Sequence, residues 1–323
     1  MMPSVSIVVP TYNEERNISV CLDAIAKQDY PQNRIEILIV DNYSTDKTVK
    51  KIKDYPNARV LYNKVKDPEI SKMIGLQNSK GEFFLYLDAD VEIVGENWLS
   101  KLLMPLIDNP TAAGSFPRFI PDKNAPPLAR FLRYHPLELD PIFQFFCTEI
   151  MDTVVSEEND YWVCRFVPQK VPPIGICIYR KDILIQCIGR MKKFMDIDVP
   201  VILSENGFNE FIHVPSCGIY HRSSFSLREI ANKRIRNIRK VYLPNLEKRR
   251  FKYFDLSRKK DLLKIFFWVV YANLFFPEFI RGVYKTIENR DTACMYEPVI
   301  AIVLTDVIVY GFLRYGLLKQ IRF

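Results

Sequence analysis

Asp88 and Asp90 stand one residue apart at the end of an apolar run, in the segment EFFLYLDADVE of residues 82–92. The aromatic and aliphatic residues 83–87 read as a strand covered on both faces. In an open α/β sheet ligands bind at the carboxyl ends of the strands, and in extended chain residues two apart point the same way. Two carboxylates facing one side suit a hard divalent cation, which takes oxygen ligands. A loop-starting pair that caps a following helix would leave the same trace. A second concentration of charge lies in residues 228–252, REIANKRIRNIRKVYLPNLEKRRFK, which hold ten Lys/Arg and two Glu and so account for the chain's net charge of +7. Such a segment suits nucleic acid, an anionic membrane surface or a phosphate-bearing substrate, or is a solvated helix face.

The elements that must position these groups are legible. VSIVVP, EILIVD, ARVLYN and FFLYLDAD read as strands, and residues 14–27, 45–54 and 67–80 between them as helices. This order, βαβαβαβ, predicts a doubly wound, mostly parallel sheet of the α/β class. With 323 residues, 48% of them hydrophobic, the chain can bury a substantial core. Residues 116–173 are rich in proline and aromatics and are expected to form an irregular, substrate-shaping insert. Regular structure returns at IGICIYRKDIL and NGFNEFIHVPSCGIYH. Two apolar stretches follow at 262–276 and 298–313, interrupted by Lys264, Asn273 and Asp306 and short of a confident span. Interfacial helices, a shallow hairpin, two spans or a buried pair all fit them. The seven cysteines form no CxxC pair, which points away from a zinc site or a disulfide framework. No basic, apolar leader opens the chain, so the catalytic part is expected in the cytoplasm.

Four segments stand in a fixed order: VPTYNEE after the first strand, VDNYSTD after the second, LDAD after the fourth, and FMDIDVP downstream. As an ordered set, over roughly residues 4–225, they resemble the family 2 glycosyltransferases of the GT-A fold. The resemblance implies that Pro10, Tyr12 and Glu14 bracket the base and ribose of a nucleotide-diphosphate sugar. Asp41 would accept a hydrogen bond from the base, favouring a UDP- or GDP-linked donor. Asp88 would approach the ribose, and Asp90, with His221 of GIYHRSS, would hold Mg²⁺ or Mn²⁺ against the diphosphate. Lys72 falls where the family has arginine, next to Met73 where it has asparagine, and offers the diphosphate a positive charge without the bidentate fork. Gly175 resembles a loop glycine that lets donor and acceptor approach the backbone. Asp196, Asp198 and Gly207 keep the spacing of the downstream acidic motif, with Met195 in place of its glutamate. Asp196 is thereby implied as the general base of an inverting transfer.

The expected organisation is a GT-A catalytic domain over 1–225, a basic helical segment over 226–261, and apolar, membrane-associated helices over 262–323. The expected acceptor is a hydroxyl of a glycan or lipid-linked glycan at the cytoplasmic face of the cell membrane. A polyprenyl-phosphate acceptor, already ionised, would need no base and is the alternative. A sugar nucleotidyltransferase would want a glycine-rich loop after the first strand, and VPTYNEE has no glycine. A non-enzymatic membrane-binding module would leave the four aspartates without a purpose. Nucleic acid is not an expected partner, because the basic segment lacks an interleaved aromatic platform.

Overall fold

The computed structural model describes residues 2–134, 145–168, 170–222, 226–246, 248–255 and 257–320. Two compact units divide the chain: residues 1–120 with 148–222, and residues 121–147 with 223–323.

The first unit is built on a ten-stranded sheet. Its parallel half alternates β1 (Val5–Thr11), α1 (Ile18–Ala26), β2 (Ile35–Asp41), α2 (Thr48–Ile52), β3 (Ala58–Tyr62), α3 (Pro68–Asn78) and β4 (Phe83–Tyr86). The strands pair in the order β3-β2-β1-β4, so β1 is central and buried along its whole length. Pro10 is tolerated there because β4 pairs with β1 only as far as Val8, leaving Pro10 opposite Val40 of β2 alone. Asp67 caps α3 by accepting from the N–H groups of Glu69 and Ile70, and Pro68 opens its first turn. Gly75 brings α3 onto β1, since a Cβ there would lie 2.2 Å from a methyl of Val8.

The other half is mixed. After β5 (Val91–Ile93) and α4 (Trp98–Asp108), β6 (Ala112–Phe119) runs parallel to β10 (Glu210–His221). β7 (Val154–Glu157) and β8 (Trp162–Arg165) extend that edge, and β9 (Ile178–Arg180) lies antiparallel between β4 and β6. α6 (Lys181–Ile188) and α7 (Asp198–Glu205) complete the unit. The stretch 116–173, expected to be irregular, thus contributes the end of β6 and two paired strands. Its middle, from residue 121 to 147, belongs to the second unit, and residues 135–144 and Gln169 of it lie outside the described residues.

The second unit is helical: α5 (Pro127–Arg133), α8 (Leu227–Asn237), α9 (Lys259–Asn273), α10 (Phe275–Asn289) and α11 (Glu297–Gln320). A reciprocal capping box of Ser226 and Glu229 starts α8, which runs on through a π turn over Ile238–Tyr242. α11 is its central helix, packing Ile300 and Leu304 with Phe131 and Ile230, and Ile308 with Ile238 and Trp268. The segment Thr292–Gly316 is long and apolar enough to cross a membrane, with half of its apolar window buried in the protein. Between α5 and α11, Arg130 donates to both oxygens of Asp291 at 2.8 and 2.9 Å, and the Tyr134 hydroxyl adds a third bond.

Candidate active site

Three strands of the first unit end at one edge, and a residue just beyond each takes a left-handed backbone: Asn13 (φ 58°), Tyr43 (φ 58°) and Lys66 (φ 53°). That conformation is disfavoured for residues with side chains and persists only where contacts hold it. The side-chain Oδ1 of Asn13 accepts from the Thr45 N–H, the Tyr43 ring lies 5.3 Å from that of Tyr62, and the Lys66 ammonium donates to the Tyr12 hydroxyl. The turns thereby hold Tyr12, Tyr43 and Tyr62 outward, 43%, 45% and 52% exposed, as faces on which a base can stack. Tyr43 and Tyr62 were not among the expected site residues; an aromatic at the end of each strand, in VDNYSTD and ARVLYN, was the available signal.

Beneath these rings Asp41 is wholly buried and already engaged. Its carboxylate accepts from the Ser44 N–H and hydroxyl at 2.9 and 2.5 Å and from the Thr11 hydroxyl at 3.2 Å. Pro10 is buried in β1, and Glu14, four residues further on, accepts from the Asn17 side-chain amide at 2.9 Å. Burial first, and then the nearby charges of Asp90, Asp46 and Asp88, push the Glu14 carboxyl up against that hydrogen bond. The edge therefore carries an excess of negative charge.

Asp88 and Asp90 lie in a tight turn between β4 and β5, not on the strand itself, since the Val91 N–H bonds back to the Asp88 carbonyl. Strand alternation consequently does not orient them, and they face different partners. Asp88 is 3.8 Å from the Lys72 ammonium, whereas an Asp90 oxygen is 3.7 Å from Nδ1 of His221 at the end of β10. Among the described residues no group of three or more His, Cys, Asp or Glu is gathered as a metal cage. Two donors, one hard oxygen and one imidazole, nevertheless fit an ion completed by diphosphate oxygens and water, the usual arrangement for Mg²⁺ at phosphate substrates.

The densest cluster centres on Lys72. Its ammonium meets both oxygens of Asp196 at 2.6 and 2.7 Å, Glu69 at 3.5 Å, and the Tyr86 ring at 4.4 Å from the centroid. The Tyr86 hydroxyl donates to the Gly175 carbonyl at 2.9 Å, tying that loop to the same point. Asp196 is held there by its own segment: the Phe194 ring packs against Phe84, Tyr86 and Tyr179, and the Phe194 N–H bonds the Glu69 carbonyl. The Lys72 side chain is 3% exposed but that of Asp196 is 25% exposed, so the carboxylate is reachable and the cation behind it is not. Burial raises the Asp196 carboxyl, with the Lys72 charge opposing and Asp88 adding. Glu69 is pushed up to about 8, by burial first and then by the Asp196 charge, with Lys72 opposing. Glu69 was not expected from the sequence, where it reads as an ordinary first-turn carboxylate. Met73, beside Lys72, turns into the core and is buried.

Residues 6–155 match the family described as Glycosyl transferase family 2. The poly(ribitol-phosphate) beta-N-acetylglucosaminyltransferase TarS of Staphylococcus aureus is 35% identical over 94 residues, which cover 28% of this chain and 16% of TarS. A dolichyl N-acetyl-alpha-D-glucosaminyl phosphate 3-beta-D-2,3-diacetamido-2,3-dideoxy-beta-D-glucuronosyltransferase of Methanococcus voltae is 37% identical over 94 residues, covering 27% of this chain and 29% of that protein. The matched part is thus less than a third of these relatives' length. Among solved structures, the mannosyltransferase PcManGT of Pyrobaculum calidifontis, in complex with GDP-Man and Mn²⁺, superposes with a TM-score of 0.56 at 16% identity, covering 96% of this chain and 88% of that one. Crystalline TarS gives a TM-score of 0.50 at 18% identity, covering 95% and 55%. These two likenesses establish the shared fold.

Proposed function

We propose that the chain, whose residues 6–155 match glycosyl transferase family 2 and which shares the fold of such an enzyme, is an inverting transferase moving a sugar from a UDP- or GDP-linked donor to a hydroxyl of a glycan or lipid-linked glycan. The observation that carries this reading is the cluster at Lys72, where a reachable carboxylate is fixed at the ligand-binding edge of the sheet. Tyr12, Tyr43 and Tyr62 offer faces to the base, and Asp88 lies 3.8 Å from Lys72. Asp196 takes the proton of the acceptor hydroxyl as its oxygen attacks the anomeric carbon from the face opposite the nucleotide. Lys72 keeps Asp196 ionised and aimed before the acceptor arrives, and Glu69 lies 3.5 Å from the same ammonium. Asp90 and His221, with the donor's diphosphate, would hold Mg²⁺ or Mn²⁺, which offsets charge on the leaving diphosphate. The use of GDP-Man and Mn²⁺ by a protein of the same fold supports this assignment.

The same reading places the enzyme at the cytoplasmic face of the cell membrane, where a lipid-linked acceptor would be met. Support comes from the basic segment, from the apolar helices of the second unit, and from relatives such as the dolichyl-linked transferase. The test is protection of the purified protein against thermal unfolding by UDP-, GDP- and dTDP-sugars with Mn²⁺, followed by turnover with candidate acceptors. Protection by a UDP- or GDP-sugar that vanishes with EDTA is expected. No protection by any nucleotide sugar would overturn the reading.

A further inference from the structure

Helix α10 of the second unit is amphipathic in the sense opposite to that of a helix in water. From Phe275 to Ile287 every exposed residue is apolar or aromatic: Phe275, Phe276, Phe279, Ile280, Val283, Tyr284 and Ile287. Three of them are extreme, with Phe276 at 75%, Ile280 at 67% and Ile287 at 73% exposure. Every charged residue of the same span faces inward. Glu278 is 1% exposed, Arg281 lies 3.5 Å from Glu297, and the Lys285 ammonium donates to both oxygens of Glu297, itself 4% exposed. An aqueous surroundings favours the reverse arrangement, because ions lose hydration on burial and apolar side chains gain from leaving water. The neighbouring helix α9 also turns apolar side chains outward, Leu262, Leu263, Phe266, Phe267 and Val270 being exposed, here beside exposed lysines at its start.

We propose that the outward faces of α9 and α10 form a docking surface for an anionic lipid bilayer, lying along the headgroup–acyl boundary of one leaflet and crossing it with neither helix. The proposal rests on the membrane part of the reading above and not on its chemistry. Length argues for lying flat: each helix has 15 residues, about 22 Å of rise against about 30 Å of hydrocarbon, and the two meet at a bend of 73°. Charge selects the occupant. Lys259, Lys260 and Lys264 are exposed at the start of α9, and Arg228, Arg236 and Lys240 are exposed on the basic helix of the same unit. Near an anionic leaflet such cations add to apolar insertion. A second copy of the chain would carry the same lysines to the same rim and gain nothing from them.

Co-sedimentation of the full chain with vesicles tests this, comparing phosphatidylcholine alone with a phosphatidylcholine–phosphatidylglycerol mixture. Binding is expected to be tighter on the anionic vesicles and to fall on the order of a hundredfold in Phe276→Glu and Ile280→Glu. Both substitutions sit at exposed positions, and circular dichroism with nucleotide-sugar protection on the same samples separates loss of docking from loss of fold or of the donor site. Phe276→Trp should be quenched more by lipids brominated near the headgroup than by those brominated deep in the acyl chain. Wild-type vesicle binding by the two Glu variants would overturn the proposal. So would strongest quenching by deep bromines, which means a span, or a concentration-dependent dimer without vesicles that the Glu variants abolish.

Discussion

Asp196→Asn separates catalysis from stability at the Lys72 cluster. The substitution keeps the side chain's size and removes one negative charge, leaving the buried Lys72 ammonium with Glu69 at 3.5 Å and Asp88 at 3.8 Å. At an effective dielectric of about 20, an opposite charge at that range is worth about 4 to 5 kcal/mol before desolvation. The Asp196 charge, after burial, pushes the Glu69 carboxyl up, so losing that charge favours an ionised Glu69 that takes over the pairing. One ion pair replaces another. The expected stability loss is therefore about 1 kcal/mol, well under the roughly 3–5 kcal/mol of a stranded buried charge. Turnover should fall about 10² to 10⁴-fold, the range for a missing general base, with donor affinity nearly unchanged. Denaturant melts, nucleotide titration and steady-state rates on one preparation read all three. Turnover within tenfold of the wild type would refute Asp196 as base. A loss above about 3 kcal/mol would refute compensation by Glu69, which Glu69→Gln combined with Asp196→Asn should also abolish.

Asp90→Ala and His221→Ala should each remove most turnover and Mn²⁺-dependent donor protection while leaving the melting temperature in place; full activity in excess EDTA would contradict the metal assignment. Glu69 binds its proton up to about pH 8 when folded and only to about 4.5 when unfolded. Its contribution to stability is thus complete below about 4.5 and declines as pH rises toward 8, by at most about 1.4 kcal/mol per pH unit. Glu69→Gln should flatten that decline in melts at pH 5, 6.5 and 8, and parallel curves for variant and wild type would refute it. Asp291 is the opposite case: hydrogen bonds from Arg130 hold its carboxyl well below the usual range, so its contribution is present at neutral pH and lost in acid. Asp291→Ala should cost about 2–4 kcal/mol at pH 7 and much less near pH 2, checked by unfolding of the full chain.

Half of the sheet was legible because its strands are near-continuous apolar runs separated by helices, each marked by a cap or a periodic face. The mixed half was less so. β6 and β8 each pair with β10 through residues such as Gly114, Arg118 and Trp162, whose sequence does not alternate cleanly. The break between α9 and α10 at Leu274 also escaped notice, although Pro277 carries the reason: it has no N–H to offer the Asn273 carbonyl, so one continuous helix cannot pass. Within the candidate site, the spacing of Asp41, Asp88, Asp90 and Asp196 was readable as a set. Glu69 was not, because a glutamate in a helix's first turn needs no partner to explain it.

Lys72 and Met195, two departures of this chain from the pattern it resembles, fit together around Glu69. An arginine at position 72 would present a planar fork of five donors, whereas Lys72 presents one ammonium, which Asp196, Glu69, Asp88 and the Tyr86 face surround. Met195, in place of a glutamate, leaves Asp196 without an acidic neighbour in sequence, and Glu69 supplies one from α3 across the cluster. A carboxyl beside Asp196 on its own strand of chain would ride with it. Glu69 instead pairs with Lys72, three residues along α3, so the cation that holds Asp196 and the carboxyl beside that cation are carried by one helix. Asp196, the proposed base, is thus aimed by a helix that Gly75 seats directly on the central, fully buried strand.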